Sequence, residues 1–156
     1  MNNQRIPDKV FENILEYSII SAVDAVIYQE GKGVLLTLRN QEPCKGKWWI
    51  QGGRQNKGET AEEAVIRKVR EETGLEVIVD KFIWTTDVMF DKTAFKNVKT
   101  GVHYSAKVYL VHPKDKRAEI KLDPTQDKYR WIEKIEENLD SYVKKSLIKS
   151  EVFKKT

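Results

Sequence analysis

The chain has 156 residues, 40% of them hydrophobic and 33% charged, with 8 glycines and 4 prolines. That length suits one domain, residues 1–156, able to bury a sizeable core without disulfides, and the composition excludes collagen-like, low-complexity and largely disordered chains. The net charge of +4 sits at one end: residues 144–156 hold Lys144, Lys145, Lys149, Lys154 and Lys155 against Glu151 alone, so residues 1–143 are neutral. A basic end on a neutral body argues against a nucleic-acid binder. Cys44 is the single cysteine, which excludes an internal disulfide and a CxxC zinc site. Arg5, Asp8 and Lys9 interrupt any export signal, and no stretch approaches the roughly 20 apolar residues of a membrane span. The expectation is a soluble cytoplasmic protein with no membrane partner.

In chain order, Pro7 and Asp8 open a helical pattern that sets Val10, Phe11, Ile14 and Leu15 on one face. Ile19 to Tyr28 reads as a buried strand. Gly31-Lys32-Gly33 turns the chain, and Val34 to Arg39 returns as the second strand of a hairpin. Residues 40–47 read as a loop and Trp48 to Ile50 as a short strand. Helical spacing runs from Thr60 to Thr73 and stops at Gly74. Further strands are predicted at 75–90, 101–112 and 128–133. Leu139, Val143 and Leu147, at four-residue spacing, predict a closing amphipathic helix that the lysine-rich end prolongs, where cations favour the helix dipole. Strands and helices mixed in this order predict a mixed sheet packed between helices, an α+β fold.

The chemistry concentrates between Gly52 and Leu75, a glycine loop feeding a helix. Thr60 and Glu63 have capping-box spacing, and Ala61, Ala64, Val65 and Val69 give the helix a buried face. Glu71 and Glu72 fall in its last turn, where carboxylates oppose the macrodipole. A divalent cation reverses that sign, and hard oxygen ligands suit Mg²⁺. The plainer reading is a helix end with solvated acids.

The stretch resembles the Nudix box. Gly53, Glu59, Arg67, Val69, Glu71, Glu72, Gly74 and Leu75 fall in register, eight of its nine specified positions. The resemblance implies the Nudix fold, a mixed β-sheet sandwiched between α-helices, and Mg²⁺-dependent hydrolysis of a nucleoside diphosphate linked to another group, with Mn²⁺ as an alternative ion. It implies that Glu72 and the Gly52 carbonyl are metal ligands with Glu71 beside them, and that Glu59 and Arg67 form a structural ion pair. Lys68 departs from the box, standing where the first helical Glu belongs. A protonated lysine is no ligand, and a lost general base costs about 10²–10⁴-fold in rate. Lys68 has two other uses, pairing with Glu72 or reaching a substrate phosphate as a point charge.

A narrower resemblance runs through Ile20 to Asp24, Val34 to Arg39, Gly46 to Trp49, Gly52-Gly53-Arg54, His103-Tyr104 and Tyr129-Arg130-Trp131. These segments are similar to the GDP-mannose mannosyl hydrolases, Nudix relatives that also lack the first helical Glu. Those enzymes cleave a GDP-sugar at the sugar carbon with one Mg²⁺ and are dimeric. The resemblance implies that Arg39 and Arg54 hold the pyrophosphate, Asp24 contacts the sugar and Tyr104 lies at the leaving phosphate. It also implies a homodimer, with the N-terminal helix as a contributor. Arginine forks and a cation suit a leaving diphosphate on which charge grows.

The segment Asp123-Pro124-Thr125-Gln126-Asp127-Lys128 lacks the loop histidine those hydrolases use as general base. Gln126 matches their glutamine metal ligand or, counted back from Tyr129, the histidine's place. Asp127 is then the nearest base in sequence, with Glu71 and His103 as rivals. Gln51 replaces a proline common before Gly-Gly. Asp24 is also readable as a structural hydrogen-bonding group, Arg39 and Arg54 as surface arginines, and Trp48 and Trp49 as packing. Tyr129 and Trp131 alternate along a strand, so one is expected to face the core. The leading expectation is hydrolysis of GDP-mannose or GDP-glucose to GDP and free sugar. The alternatives are attack at phosphorus on another nucleoside diphosphate derivative, or a non-catalytic nucleotide-binding domain.

Overall fold

The computed structural model describes residues 5–154; Lys155 of the basic end lies outside them. The elements are α1 (Asp8–Tyr17), β1 (Ile20–Gln29), β2 (Gly33–Arg39), β3 (Trp48–Trp49), β4 (Gln51–Arg54), α2 (Ala61–Thr73), β5 (Val77–Phe90), β6 (Val102–Pro113), β7 (Gln126–Ile132) and α3 (Ser141–Ser150).

They build one mixed sheet of seven strands, ordered β3-β2-β1-β6-β5, with β4 also paired to β1 and β7 to β2. β1 is central. It runs parallel to β6 from Ile20↔Tyr104 to Ile27↔Val111 and antiparallel to β4 from Ala22↔Arg54 to Ala25↔Gln51. Its two faces feed two cores, which is why most of this strand is apolar. Val23, Ala25 and Ile27 pack with Ala64, Val65 and Val69 of α2. Val26 packs on the other side with Val143 and Leu147 of α3. On that same side Leu15 of α1 joins Ile20 and Val102. Helices therefore cover both faces, the expected sandwich.

The helix ends follow the local chemistry. Thr60 and Glu63 form the reciprocal capping box, and Gly74 closes α2 in the left-handed conformation at φ 73°, where glycine carries no Cβ penalty.

Several expectations change. Gly52, Gly53 and Arg54 belong to strand β4 rather than to a loop, because a Cβ at Gly52 would stand 1.8 Å from Asp24 Oδ1. The missing side chain lets the two strands close over a carboxylate. Val10 is exposed, and only Leu15 of its predicted face is fully buried. Tyr129 and Trp131, two residues apart, share one face of β7, with Trp131 packed against the α2-side core and Tyr129 exposed. α3 begins after its cap Asp140 and stops at Ser150, with Glu151 left-handed at φ 65°. Leu139 is buried ahead of the helix, and Lys154 lies beyond it, paired with Glu151. Lys144, Lys145 and Lys149 of the basic end therefore belong to α3, and the helix ends before Lys154.

Candidate active site

Period-two geometry puts Ala22 and Asp24 of β1, Gly52 and Arg54 of β4, and Tyr104 and Ala106 of β6 on one face of the sheet. That face is the floor of a cleft of about 790 Å³. α1 forms one wall through Phe11 and Leu15, and the C-terminal half of α2 supplies Lys68, Glu71 and Glu72. Arg39, at the end of β2, and Tyr142, on α3, complete it. Its volume lies within the range of small-molecule sites, with charged groups converging on a partly apolar pocket.

Asp24 lies on the floor against Gly52 and accepts a hydrogen bond from the Tyr142 hydroxyl at 2.5 Å. Burial pushes its carboxyl up to about 6, against the opposing pull of that bond and of Arg39 and Lys68. Glu72 is 4% exposed. It accepts from the Gly52 N–H at 3.2 Å, and burial raises it to about 7 despite Lys68. Glu71 moves the other way: Lys68 and Arg67 hold it below its usual range against a burial effect of opposite sign. Lys68 Nζ lies between the two acids, 3.2 Å from Glu71 Oε2 and 3.5 Å from Glu72 Oε1.

The two arginines are held differently. Arg39 Nε donates to the Pro43 carbonyl at 2.7 Å. The Arg54 guanidinium stacks 4.3 Å from the centre of the Phe11 ring, and burial and nearby Arg67 lower its pKa. Tyr104 lies beside Phe90, its hydroxyl raised by burial. Glu59 and Arg67 form the expected ion pair: Arg67 donates to both Glu59 oxygens, at 2.6 and 2.9 Å, and to the Arg54 carbonyl at 3.0 Å.

The cleft thus gathers Asp24, Arg39, Gly52, Arg54, Lys68, Glu71, Glu72 and Tyr104. It leaves out Gln126 and Asp127, although Asp123 and Thr125 from the same segment do line it. Asp127 is exposed and bonded to Asn40 Nδ2 at 2.9 Å. His103 pairs with Asp87 at 3.1 Å, also outside the wall. Gln126 starts β7 opposite Arg39, and its side-chain oxygen is buried with no hydrogen-bond partner among the described residues. Phe11 and Tyr142 are among the cleft residues that the sequence did not single out. Phe11 gave a signal only as part of an apolar stripe. Tyr142 gave none, because its partner Asp24 lies 118 residues away.

A divalent ion fits this donor set in one manner. The buried Glu72 carboxylate is a hard donor of the kind Mg²⁺ takes alongside substrate phosphates, whereas the expected ligand Gln126 lies outside the cleft lining and is not brought to it. A cage built by the protein alone does not fit: among the described residues no three His, Cys, Asp or Glu side chains gather to hold a metal.

The NUDIX domain family profile matches residues 19–147, and the chain belongs to that family. Nudix hydrolases generally use divalent ions such as Mg²⁺ and act on small nucleotide substrates. The low-salt glycan biosynthesis protein Agl8 of Haloferax volcanii is 33% identical over 143 residues, covering 92% of this chain and 89% of that one. An ADP-ribose pyrophosphatase of Methanocaldococcus jannaschii is 48% identical over 54 residues, 35% of this chain and 31% of that one. Among solved structures, a MutT protein from Methanosarcina mazei Go1 superposes with TM-score 0.66 at 26% identity, covering 86% and 94% of the two chains. No helix among the described residues is long and apolar enough to cross a membrane.

Proposed function

We propose that this chain is a Mg²⁺-dependent hydrolase of a nucleoside diphosphate sugar, with GDP-mannose or GDP-glucose as the named substrates and GDP and free sugar as products. The observation that carries the reading is a cleft lined together by Arg39, Arg54, Asp24, Glu71 and Glu72, beside the glycines of β4. The name of the Haloferax relative, a glycan biosynthesis protein, agrees with a sugar-bearing substrate.

In this mechanism water attacks the anomeric carbon, the carbon–oxygen bond to the diphosphate breaks, and GDP departs with that oxygen. Arg39 and Arg54 hold the diphosphate and stabilise its growing charge, as preorganised donors do. Tyr104 donates at the leaving phosphate. Asp24, on the floor and held by Tyr142, faces the sugar and is the carboxylate best placed to take the water's proton. Glu71 is tied to Arg67 and Lys68, and Asp127 lies outside the cleft, so geometry ranks them below Asp24 as bases. Glu72 and the Gly52 carbonyl would hold a Mg²⁺, or Mn²⁺ in its place, and the ion would neutralise diphosphate charge. We read residues 1–156 as one domain of a cytoplasmic homodimer, without nucleic-acid partners.

A second reading keeps attack at phosphorus, and the local match to an ADP-ribose pyrophosphatase through the box region favours it. Incubating purified protein with Mg²⁺ and a panel of nucleotide sugars in ¹⁸O water decides between them. Label in the free sugar supports the first reading, label in phosphate supports the second, and no turnover of any nucleotide sugar defeats the first.

A further inference from the structure

Lys68 raises a question of its own, because its ammonium stands where two carboxylates would otherwise face an incoming cation. The stem lies along the glycine strand: a Cβ on Gly53 would come within 2.7 Å of Lys68 Cε and 3.3 Å of its Nζ. The side chain is 18% exposed, so it is packed rather than waving in solvent. Its Nζ reaches Glu71 Oε2 at 3.2 Å and Glu72 Oε1 at 3.5 Å, while Arg67 Nη1 reaches both Glu71 oxygens at 3.2 Å. Arg67 is shared with Glu59, so Lys68 is the cation that meets both Glu71 and Glu72, and its ammonium offsets one unit of the negative charge a free divalent ion would seek. A divalent ion placed on Glu72 would also meet the ammonium as a like charge at close range.

We propose that Lys68 is an internal cation that closes the carboxylate pair until substrate arrives, so that the divalent ion enters with the nucleoside diphosphate and not ahead of it. The proposal rests on the metal-dependent reading above. A diphosphate held by Arg39 and Arg54 offers the ammonium stronger acceptors than the carboxylate it leaves. Lysine suits that exchange, being a compact point charge on a flexible stem. Lys68, Arg39 and Arg54 line the same cleft beside Asp24 and Glu72, so the ammonium moves within that cleft from the carboxylates to a phosphate. Freed from the ammonium, Glu72 takes the ion. Metal and nucleotide then strengthen each other by one coupling factor, read from either side.

The test is calorimetric titration of the metal-stripped full chain, with Mn²⁺ as the probe. Mn²⁺ is titrated alone, and GDP is titrated with and without Mn²⁺. The natural chain is expected to bind Mn²⁺ weakly alone and to bind GDP more tightly when Mn²⁺ is present. Lys68→Met is expected to bind Mn²⁺ alone at least about tenfold more tightly, the effect of removing a unit charge about 5 Å from a divalent ion even at water's dielectric constant. It should also lose most of the coupling, while Lys68→Arg, which keeps the cation, should behave as the natural chain. Lys68→Gln repeats the measurement if the methionine variant fails to fold. Equal Mn²⁺ affinity in the natural chain and the neutral variants, with Mn²⁺ still promoting GDP binding, overturns the proposal and leaves the metal-dependent reading intact. GDP binding indifferent to Mn²⁺ in every protein, with no Mn²⁺ bound alone, overturns that reading and this proposal with it.

Discussion

Glu59 and Glu72 flank α2, each with little side-chain surface exposed (8% and 5%), but Glu72 lies far deeper, and their acidities move in opposite directions. Glu59 accepts a fork from Arg67 and the Asn56 N–H at 2.7 Å, and the Arg67 hydrogen bonds hold it below its usual range. Glu72 has one backbone N–H, an ammonium beyond hydrogen-bond range and the charge of Asp123 nearby, so burial prevails and raises it. The difference teaches that depth and the completeness of a carboxylate's donors together set its state. At the first end the donors are complete, and the pair anchors the turn between β4 and α2. At the second they are incomplete, the condition in which a carboxylate remains available to a ligand.

Exchanging each acid for its amide gives the largest contrast. Glu59→Gln removes the shortest carboxylate partner of Arg67 and is expected to cost roughly 2–4 kcal/mol of folding stability, near the range for breaking a buried pair. Glu72→Gln should leave metal-free stability at pH 8 undiminished, while turnover falls by at least about 100-fold, the upper range for disturbing a metal's supporting shell. Denaturant melts and initial rates on the two variants check this; a Glu72 variant that unfolds more readily than the Glu59 variant breaks the contrast.

Stability against pH separates the two ends next. Below the ordinary Glu value of 4.5, the unfolded chain takes up the proton before Glu59 does, so its stabilisation, complete above 4.5, is lost as pH falls through its lowered folded value. For Glu72 the folded chain keeps a proton between 4.5 and about 7 that the unfolded chain has released. Metal-free stability should therefore fall as pH rises across that window, by roughly 2–3 kcal/mol. Melting curves of the metal-free chain should lose the acid-side slope in Glu59→Gln and the near-neutral slope in Glu72→Gln.

Arg54→Lys tests the site more gently. It keeps the charge but loses the planar fork and the stacking on Phe11, and kcat/KM is expected to drop by about tenfold. The smallest effect is expected from Tyr142→Phe, about 1 kcal/mol of stability for one hydrogen bond. Because that bond favours the ionised carboxyl, its loss should move Asp24 above about 6, a shift readable by carboxyl NMR titration.

Much of the fold was legible because its cues are local. The Thr60/Glu63 cap and the Gly74 stop bound α2 within the sequence itself, and the apolar run of β1 marks a strand covered on both faces. The box acids and Arg67 were legible for the same reason, since one helix sets their spacing. The ends of α3 were less so, because Leu139 is buried by tertiary packing before the helix begins.

The sequence alone determined the family, the layered α+β fold and the Glu59–Arg67 pair, all carried by residues close in the chain or by a spaced pattern. The even charge of residues 1–143 was legible too, but not where opposite charges meet. Only the tertiary structure decided that Tyr142 meets Asp24, that Phe11 lies under Arg54, and that Gln126 and Asp127 stand outside the cleft. It also decided that the Lys68 ammonium settles between Glu71 and Glu72. Such contacts depend on strand register and on where a flexible side chain finds its lowest electrostatic energy, and neither is written in local spacing.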